Sequence, residues 1–212
     1  MKFLYYLSNS AGWAEVKFEH ENVSLNYDVD DYLESDIEDL LGGILALVEY
    51  KKNSGHFGNL DEKYLDENNI FTWHISVGSM AVDFIFSPTE RKEIVNLKII
   101  ELYEDENIIA FEGEINIFEL IDCILYSCSE MLREYGIYGY YENYWNEFPI
   151  YFYLMLHDFR NGSISFESFD ETINNKLEKM YKSSIKGELK ILFNENPQYP
   201  HRSIKNKGRK IE

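Results

Sequence analysis

Polar and apolar residues alternate along most of the first thirty positions of the chain. A two-residue period places the apolar side chains on one face of a strand and leaves the other face to water. The apolar members of the pattern are Ala14, Val16, Phe18, Val23, Leu25 and Tyr27. With a β-prone segment at residues 2–7 before them, they predict an antiparallel meander with one wet face.

A second set of strands is predicted between residues 71 and 111. Alternation over residues 71–77 leads into Gly78-Ser79, a two-residue hairpin signal, and resumes until Pro88. Residues 94–102 and 108–111 follow as two more strands. The whole pattern predicts an α+β fold with a mostly antiparallel sheet of six or seven strands.

Three- and four-residue spacing of apolar residues predicts helices over residues 31–51 and after Asn116. Gly42 and Gly43 should each cost about 1 kcal/mol relative to alanine in mid-helix, so we expect them to allow a close approach to the sheet. A capping box at Asn116 opens the second helix, and Gly136 is the expected residue at its end. The order of strands and helices predicts helices packed mainly on one face.

The segment 135–153 is more than half aromatic. One interpretation is a core-forming helical junction, extending over residues 135–159. The other is an exposed binding surface built from some of the tyrosines, since Tyr and Trp have a polar end as well as a large apolar ring. The pattern itself leaves both open.

The length of 212 residues suits a single α+β domain, which we place at residues 1–195 with its last helices over 168–193. Residues 196–212 are predicted to be a flexible basic tail that lies loose or folds back on the domain. Residues 201–212 contain five basic residues and one acidic residue. Their removal from a total charge of −18 leaves −22 for residues 1–200.

The net charge of −18 argues against nucleic acid and anionic membranes as partners and favours a basic protein. The alternative is that acidity only keeps an aromatic-rich protein in solution. With no secretory signal or membrane span in the sequence, we expect a cytoplasmic protein. Cys123 and Cys128 differ by 140° around a helix, cannot bridge, and are expected to be buried thiols.

The sequence offers little catalytic chemistry. It contains no phosphate-binding glycine loop, no H-E-x-x-H and no C-x-x-C motif. His157-Asp158 lacks further metal ligands at suitable spacing, His74 is expected to face solvent, and the carboxylates around Glu34 point in different directions. We therefore predict no catalytic, metal-binding or cofactor-binding residue.

Two stretches combine carboxylates with aromatic rings, a chemistry that suits arginine and lysine side chains. One lies where a strand passes into a helix, and the other lies in the aromatic segment. The candidate partner-binding residues are Tyr27, Asp28, Asp30, Asp31, Tyr32, Glu34, Tyr138, Tyr140, Tyr141, Tyr144 and Trp145.

Two motifs resemble a broad family of small, immunity-like bacterial proteins associated with polymorphic toxin systems. They are D-Y-L-E-S-D-I-E-D-L-L at residues 31–41 and Y-G-x-x-G-Y at residues 135–140, followed by Trp145 and Phe148-Pro149. The similarity spans residues 13–159, and the region after Gly162 departs from the family pattern. The resemblance implies an immunity-like role. Together with the acidic charge, the two acid–aromatic stretches and the lack of a catalytic motif, it leads us to expect a non-enzymatic acidic binding protein, such as an immunity protein that neutralises a basic toxin domain. The alternatives are a carboxylate- or metal-assisted hydrolase and an oligomerising scaffold module.

Overall fold

The computed structural model of the chain describes residues 1–8, 12–30, 36–50, 63–144 and 146–161. Within these residues the fold is α+β, as the sequence predicts. The strands are β1 (Lys2–Leu7), β2 (Trp13–His20), β3 (Val23–Asp30), β4 (Phe71–Val77), β5 (Met80–Pro88), β6 (Ile94–Leu102) and β7 (Asn107–Asn116). The helices are α1 (Asp36–Tyr50), α2 (Ile117–Tyr144) and α3 (Ile150–Arg160).

The strands form two antiparallel sheets, so the prediction of one sheet of six or seven strands is wrong. The first sheet has the order β1-β2-β3, and the second has the order β4-β5-β6-β7. Each is a meander in which strands adjacent in sequence pair with each other, which is the part that alternation predicts. Alternation does not reveal whether two meanders join, and here the chain between them includes α1.

The two sheets share one hydrophobic core because each turns its apolar face inward. The ring of Phe3 on β1 lies 6.0 Å from that of Trp73 on β4 and 6.2 Å from that of Phe84 on β5. Phe18 on β2 contacts Phe111 on β7 at 4.9 Å between ring centroids. These large rings fill the space between the sheets.

Helix α1 closely approaches β4 and the residues just before it at its two glycines, a close approach that the sequence predicts. A Cβ atom at Gly43 would overlap the ring of Phe71, and one at Gly42 would overlap the ring of Tyr64. The helix can therefore approach the edge of the second sheet only because neither position carries a side chain. This explains why two helix-weakening residues stand in the middle of α1.

Helix α2 covers the outer edge of β1. The backbone N–H of Tyr5 donates to Oγ of Ser127 at 3.2 Å, and both groups are buried. The thiol of Cys123 lies 3.9 Å from the carbonyl oxygen of Met1. Both cysteines are free and buried, as the sequence predicts, and they lie on the helix that closes this edge.

The start of α2 is capped by Asn116, whose Oδ1 accepts from the N–H of Phe118 at 2.9 Å and of Glu119 at 3.3 Å. The carboxylate of Glu119 faces the amino group of Met1 at 3.7 Å. Gly136 interrupts the helix with φ 68° and ψ 173°. The residues after this kink, 137–144, carry the first part of the aromatic segment.

Strand β7 is longer than the sequence pattern predicts. It extends to Asn116, where it pairs with Ile94, and contains a β-bulge at Ala110. Glu112 and Glu114 obscure its alternation, but they lie beside Lys98 and Arg91 at the surface.

Some predictions lie outside the described residues: the helices over 168–193, the basic tail over 196–212, and most of the loop before β4. Within the described part of the chain, none of the helices has both the length and the apolar character needed to cross a membrane.

Candidate functional site

The structure brings the described part of the first acid–aromatic stretch, residues 27–30, to the same end of the molecule as the end of α2, which carries the second stretch. In the first sheet Trp13 pairs in register with Asp30, the last residue of β3. The preceding residue, Gly12, donates its N–H to the carbonyl oxygen of Asn143 near the end of α2 at 2.8 Å. We call this region, formed by the ends of β1, β2, β3 and α2, the acid–aromatic end.

The first stretch contributes Asp28 to the surface but not Tyr27. Tyr27 is buried, which corrects its assignment to an exposed surface, because β3 alternates and Tyr27 belongs to the inward set with Val29. Its hydroxyl donates to Oε1 of Glu101 at 3.0 Å. Burial, reinforced by this carboxylate, raises the pKa of Tyr27. The side chain of Asp30 and the residues Asp31, Tyr32 and Glu34 lie outside the described residues.

A cross-strand row of polar side chains takes the place of that linear stretch. Tyr6 on β1 pairs in register with Glu15 on β2, and Glu15 pairs with Asp28 on β3. The hydroxyl of Tyr6 donates to Oε2 of Glu15. Burial, the bond to Glu15 and the charges of Glu15 and Asp28 together raise the pKa of Tyr6 to about 12. Tyr6 therefore holds Glu15 in place as a neutral donor near physiological pH.

Sequence reasoning missed Tyr6 and Glu15. Each alternates correctly within its own strand, but their proximity depends on the pairing of β1 with β2 and of β2 with β3. The available signal was the short turn between β2 and β3, which would have allowed the register to be estimated. The turn between β1 and β2 did not fix a register, since residues 8–12 allow several.

The second stretch divides into exposed and buried tyrosines. Tyr138 is 75% exposed and Tyr141 is 47% exposed, as expected of partner-binding residues. Tyr140 and Tyr144 are only 1% and 2% exposed, which corrects their assignment. Trp145 lies outside the described residues.

The buried pair faces the core because residues 137–144 are helical. Tyr140 and Tyr144 are four residues apart and therefore share a face. The hydroxyl of Tyr144 hydrogen-bonds that of Tyr5 on β1, and the rings of Tyr140 and Phe148 lie 5.3 Å apart at near right angles. The aromatic segment thus contributes some tyrosines to the core and leaves others exposed.

The exposed face of the same helical segment carries Ile137, Tyr138 and Tyr141. Ile137 and Tyr141 are four residues apart, as are Tyr138 and Glu142, so each pair shares a face of the helix. Glu134 lies before the kink at Gly136 and precedes Tyr138 by four residues in sequence. Glu134 and Glu142 are also exposed. We call these five residues the Tyr138 patch. It presents apolar rings next to carboxylates.

Two histidines in the described residues have side-chain partners of their own. His74 faces solvent, as the sequence predicts, with Nδ1 2.7 Å from Oδ1 of Asp83. His157 is buried, and its Nδ1 lies 3.0 Å from the side-chain amide of Asn161. No group of three His, Cys, Asp or Glu side chains in the described ranges could hold a metal ion.

Comparison of the chain with protein-family models, curated proteins and solved structures finds no match.

Proposed function

We propose that the chain is a non-catalytic acidic binding protein whose acid–aromatic end engages a basic protein partner. The proposal extends to the role implied by the family resemblance, an immunity protein that occludes a basic toxin domain. The single observation that carries it is the hydrogen bond from Gly12 to Asn143, which joins the strand end beside Asp30 to the helix that carries the second acid–aromatic stretch.

The chemistry of this end suits arginine and lysine. Glu15, which accepts a hydrogen bond from Tyr6, and the exposed Asp28 present two carboxylates on neighbouring strands. A guanidinium forms charge-assisted hydrogen bonds with such carboxylates and stacks on tyrosine rings, which Tyr138 and Tyr141 expose. The net charge of −18 adds a long-range attraction that accelerates the encounter.

The affinity should come mainly from the rings. Interface energy concentrates in a few aromatic anchors, and Tyr138 is the most exposed of the large hydrophobic side chains in the described residues. The surrounding carboxylates contribute to rate and specificity more than to affinity.

The test uses the basic proteins encoded beside this chain as candidate partners. We expect one of them to bind with an association rate that falls at least about tenfold between roughly 50 and 500 mM salt. Tyr138→Ala and Tyr141→Ala should each weaken binding by about 2 kcal/mol, or roughly thirtyfold in Kd. Tyr151→Ala is the matched control. Tyr151 is 60% exposed but lies outside both acid–aromatic stretches, residues 27–34 and 138–145.

An association rate that does not change with salt would overturn the electrostatic part of the proposal. Equal losses from Tyr151→Ala and Tyr138→Ala would overturn the assignment of the binding surface. Light scattering of the chain alone separates the oligomerising scaffold, because that function requires a mass that rises with protein concentration.

A further inference from the structure

Strand β7 ends the second sheet, and no other element of the described chain pairs with its outer edge. Its exposed residues include Ile108 (41%) and Ile109 (53%), and the side chains of Glu112 and Glu114 are 62% and 55% exposed. An unpaired edge of ten residues with exposed isoleucines is a template for another strand.

The outward face of β7 has a defined chemical order. The bulge at Ala110 places Ile109 on the same face as Glu112 and Glu114, because Ile109 pairs with Ile100 and Glu112 pairs with Lys98. Strand β6 therefore already shows which residues complement this face. It sets an aliphatic side chain opposite Ile109 and a cation 3.7 Å from Glu112.

A second copy of the chain does not complement this edge. Antiparallel pairing of β7 with itself sets the glutamates opposite each other or opposite Ile109, depending on register. Each copy also carries a net charge of −18, which opposes association. The occupant must instead supply cations and an aliphatic residue at alternate positions.

The chain contains this pattern in the basic tail at residues 196–212, which lies outside the described residues. Lys207, Arg209 and Ile211 stand at alternate positions and read cation, cation, aliphatic. This order matches Glu114, Glu112 and Ile109 when the segment runs antiparallel to β7.

Helix α3, the last described element, ends near the C-terminal end of β7, where an antiparallel strand would have to begin. Arg160, the last residue of α3, forms two hydrogen bonds with the carboxylate of Asp122 at 2.6 and 2.8 Å. The preceding ring, Phe159, stacks on Phe118, which follows β7 by only two residues. Forty-six residues separate Arg160 from Lys207. At about 3.3 Å per extended residue they exceed the length of β7 several times, so reach is not limiting.

We propose that the outer edge of β7 accepts residues 204–211 of the same chain as an added antiparallel strand. Lys207 then lies beside Glu114, Arg209 beside Glu112 and Ile211 beside Ile109. Backbone hydrogen bonds supply most of the affinity, and the alternate side chains fix the register. Covalent connection makes the event intramolecular, with an effective concentration of about millimolar. The basic tail thereby shields an edge that would otherwise recruit foreign strands.

The test is hydrogen–deuterium exchange on the full chain. Lys207→Glu with Arg209→Glu should accelerate exchange of the β7 amides that point away from β6 at least tenfold. The matched control is Arg202→Glu with Lys210→Glu, which makes the same charge change at positions of the opposite parity and should leave exchange unchanged. Amides of β2, in the centre of the other sheet, report any general loss of stability and should not change.

A charge exchange completes the test. Glu112→Lys with Glu114→Lys should also accelerate exchange, and combination with Lys207→Glu and Arg209→Glu should restore protection. Identical exchange in the wild type and in all variants would overturn the proposal, as would equal effects of the test and control pairs. Protection that rises with protein concentration together with a dimeric mass would also overturn it, because a second copy would then be the occupant.

Discussion

The first and last described strands of the chain, β1 and β7, are both edge strands, but one edge is buried and the other is exposed. The edge of β1 lies under α2, where Ser127 accepts the N–H of Tyr5 at 3.2 Å in a buried contact. The edge of β7 carries Ile108 and Ile109 at the surface, and no described element pairs with it. One edge is part of the core, and the other remains open to a strand from elsewhere.

The difference shows two ways in which this fold satisfies the unpaired backbone groups of an edge strand. A buried edge needs a polar partner for each outward N–H or C=O group, and a helix can supply one only through a side chain such as Ser127. An exposed edge obtains its partners from water, so it needs charges that discourage wrong pairing. Glu112 and Glu114 provide those charges on β7.

The largest contrast should appear in thiol reactivity. Burial raises the pKa of the thiols of Cys123 and Cys128, so both should be unreactive until the chain unfolds. In an Ile109→Cys variant, the new thiol should react at least about a thousandfold faster with a disulfide reagent. Absorbance of the released thiolate measures both phases. A fast phase in the wild type would show that α2 does not close the β1 edge.

Helix α1 packs against β4, the other edge strand of the second sheet, and Gly43 lies at this contact. We expect Gly43→Val to lower the free energy of unfolding by about 3 kcal/mol or more, because its side chain would overlap the ring of Phe71. Urea denaturation measures the loss. Gly139→Ala is the control: its Cβ would lie 3.4 Å from that of Tyr135, and better helix propensity should add up to about 1 kcal/mol. Similar losses at both glycines would contradict this account of the α1 contact.

Removal of the hydrogen-bond acceptor on α2 should lower the free energy of unfolding by less than Gly43→Val does. Ser127→Ala leaves the buried N–H of Tyr5 without its acceptor and should cost about 2 kcal/mol in unfolding free energy. Ser76→Ala, at an exposed position on β4, should change stability by less than about 0.5 kcal/mol. Equal effects in denaturation would mean that the Tyr5 amide finds another partner.

The smallest effect is expected on the open edge. Ile109→Thr should change the free energy of unfolding by no more than about 0.5 kcal/mol, because the side chain is 53% exposed. The buried Ile99 on β6 provides the reference, and Ile99→Thr should cost about 2 kcal/mol or more. Thermal denaturation of the two variants side by side checks the difference. A large loss at Ile109 would contradict the half-exposed position of its side chain.

The local elements of the fold were predictable because they depend on neighbours in sequence. Alternation located β2 and β4, the Gly78-Ser79 hairpin joined β4 to β5, and the two glycines of α1 indicated close packing. The division into two sheets was not predictable. Whether two meanders join depends on distant contacts such as Phe3 with Trp73 and Phe84.

The candidate site was predictable only in part for a similar reason. Tyr138 and Tyr141 were correctly expected at the surface, whereas Tyr140 and Tyr144 are buried. A tyrosine suits either environment, so a helix with tyrosines on both faces carries no clear inward stripe. Tyr6 and Glu15 escaped notice because only strand pairing brings them together.

The left-handed backbone of Gly136 has a consequence for the Tyr138 patch. With φ at 68°, the turn before Ile137 takes a direction that an L-residue with a side chain adopts only at an energetic penalty. The angle at which the exposed rings leave the body of the protein therefore depends on the backbone of a residue that carries no side chain of its own. Evolution could re-aim this surface toward a different target by changing a single small residue, while every aromatic side chain stayed as it is.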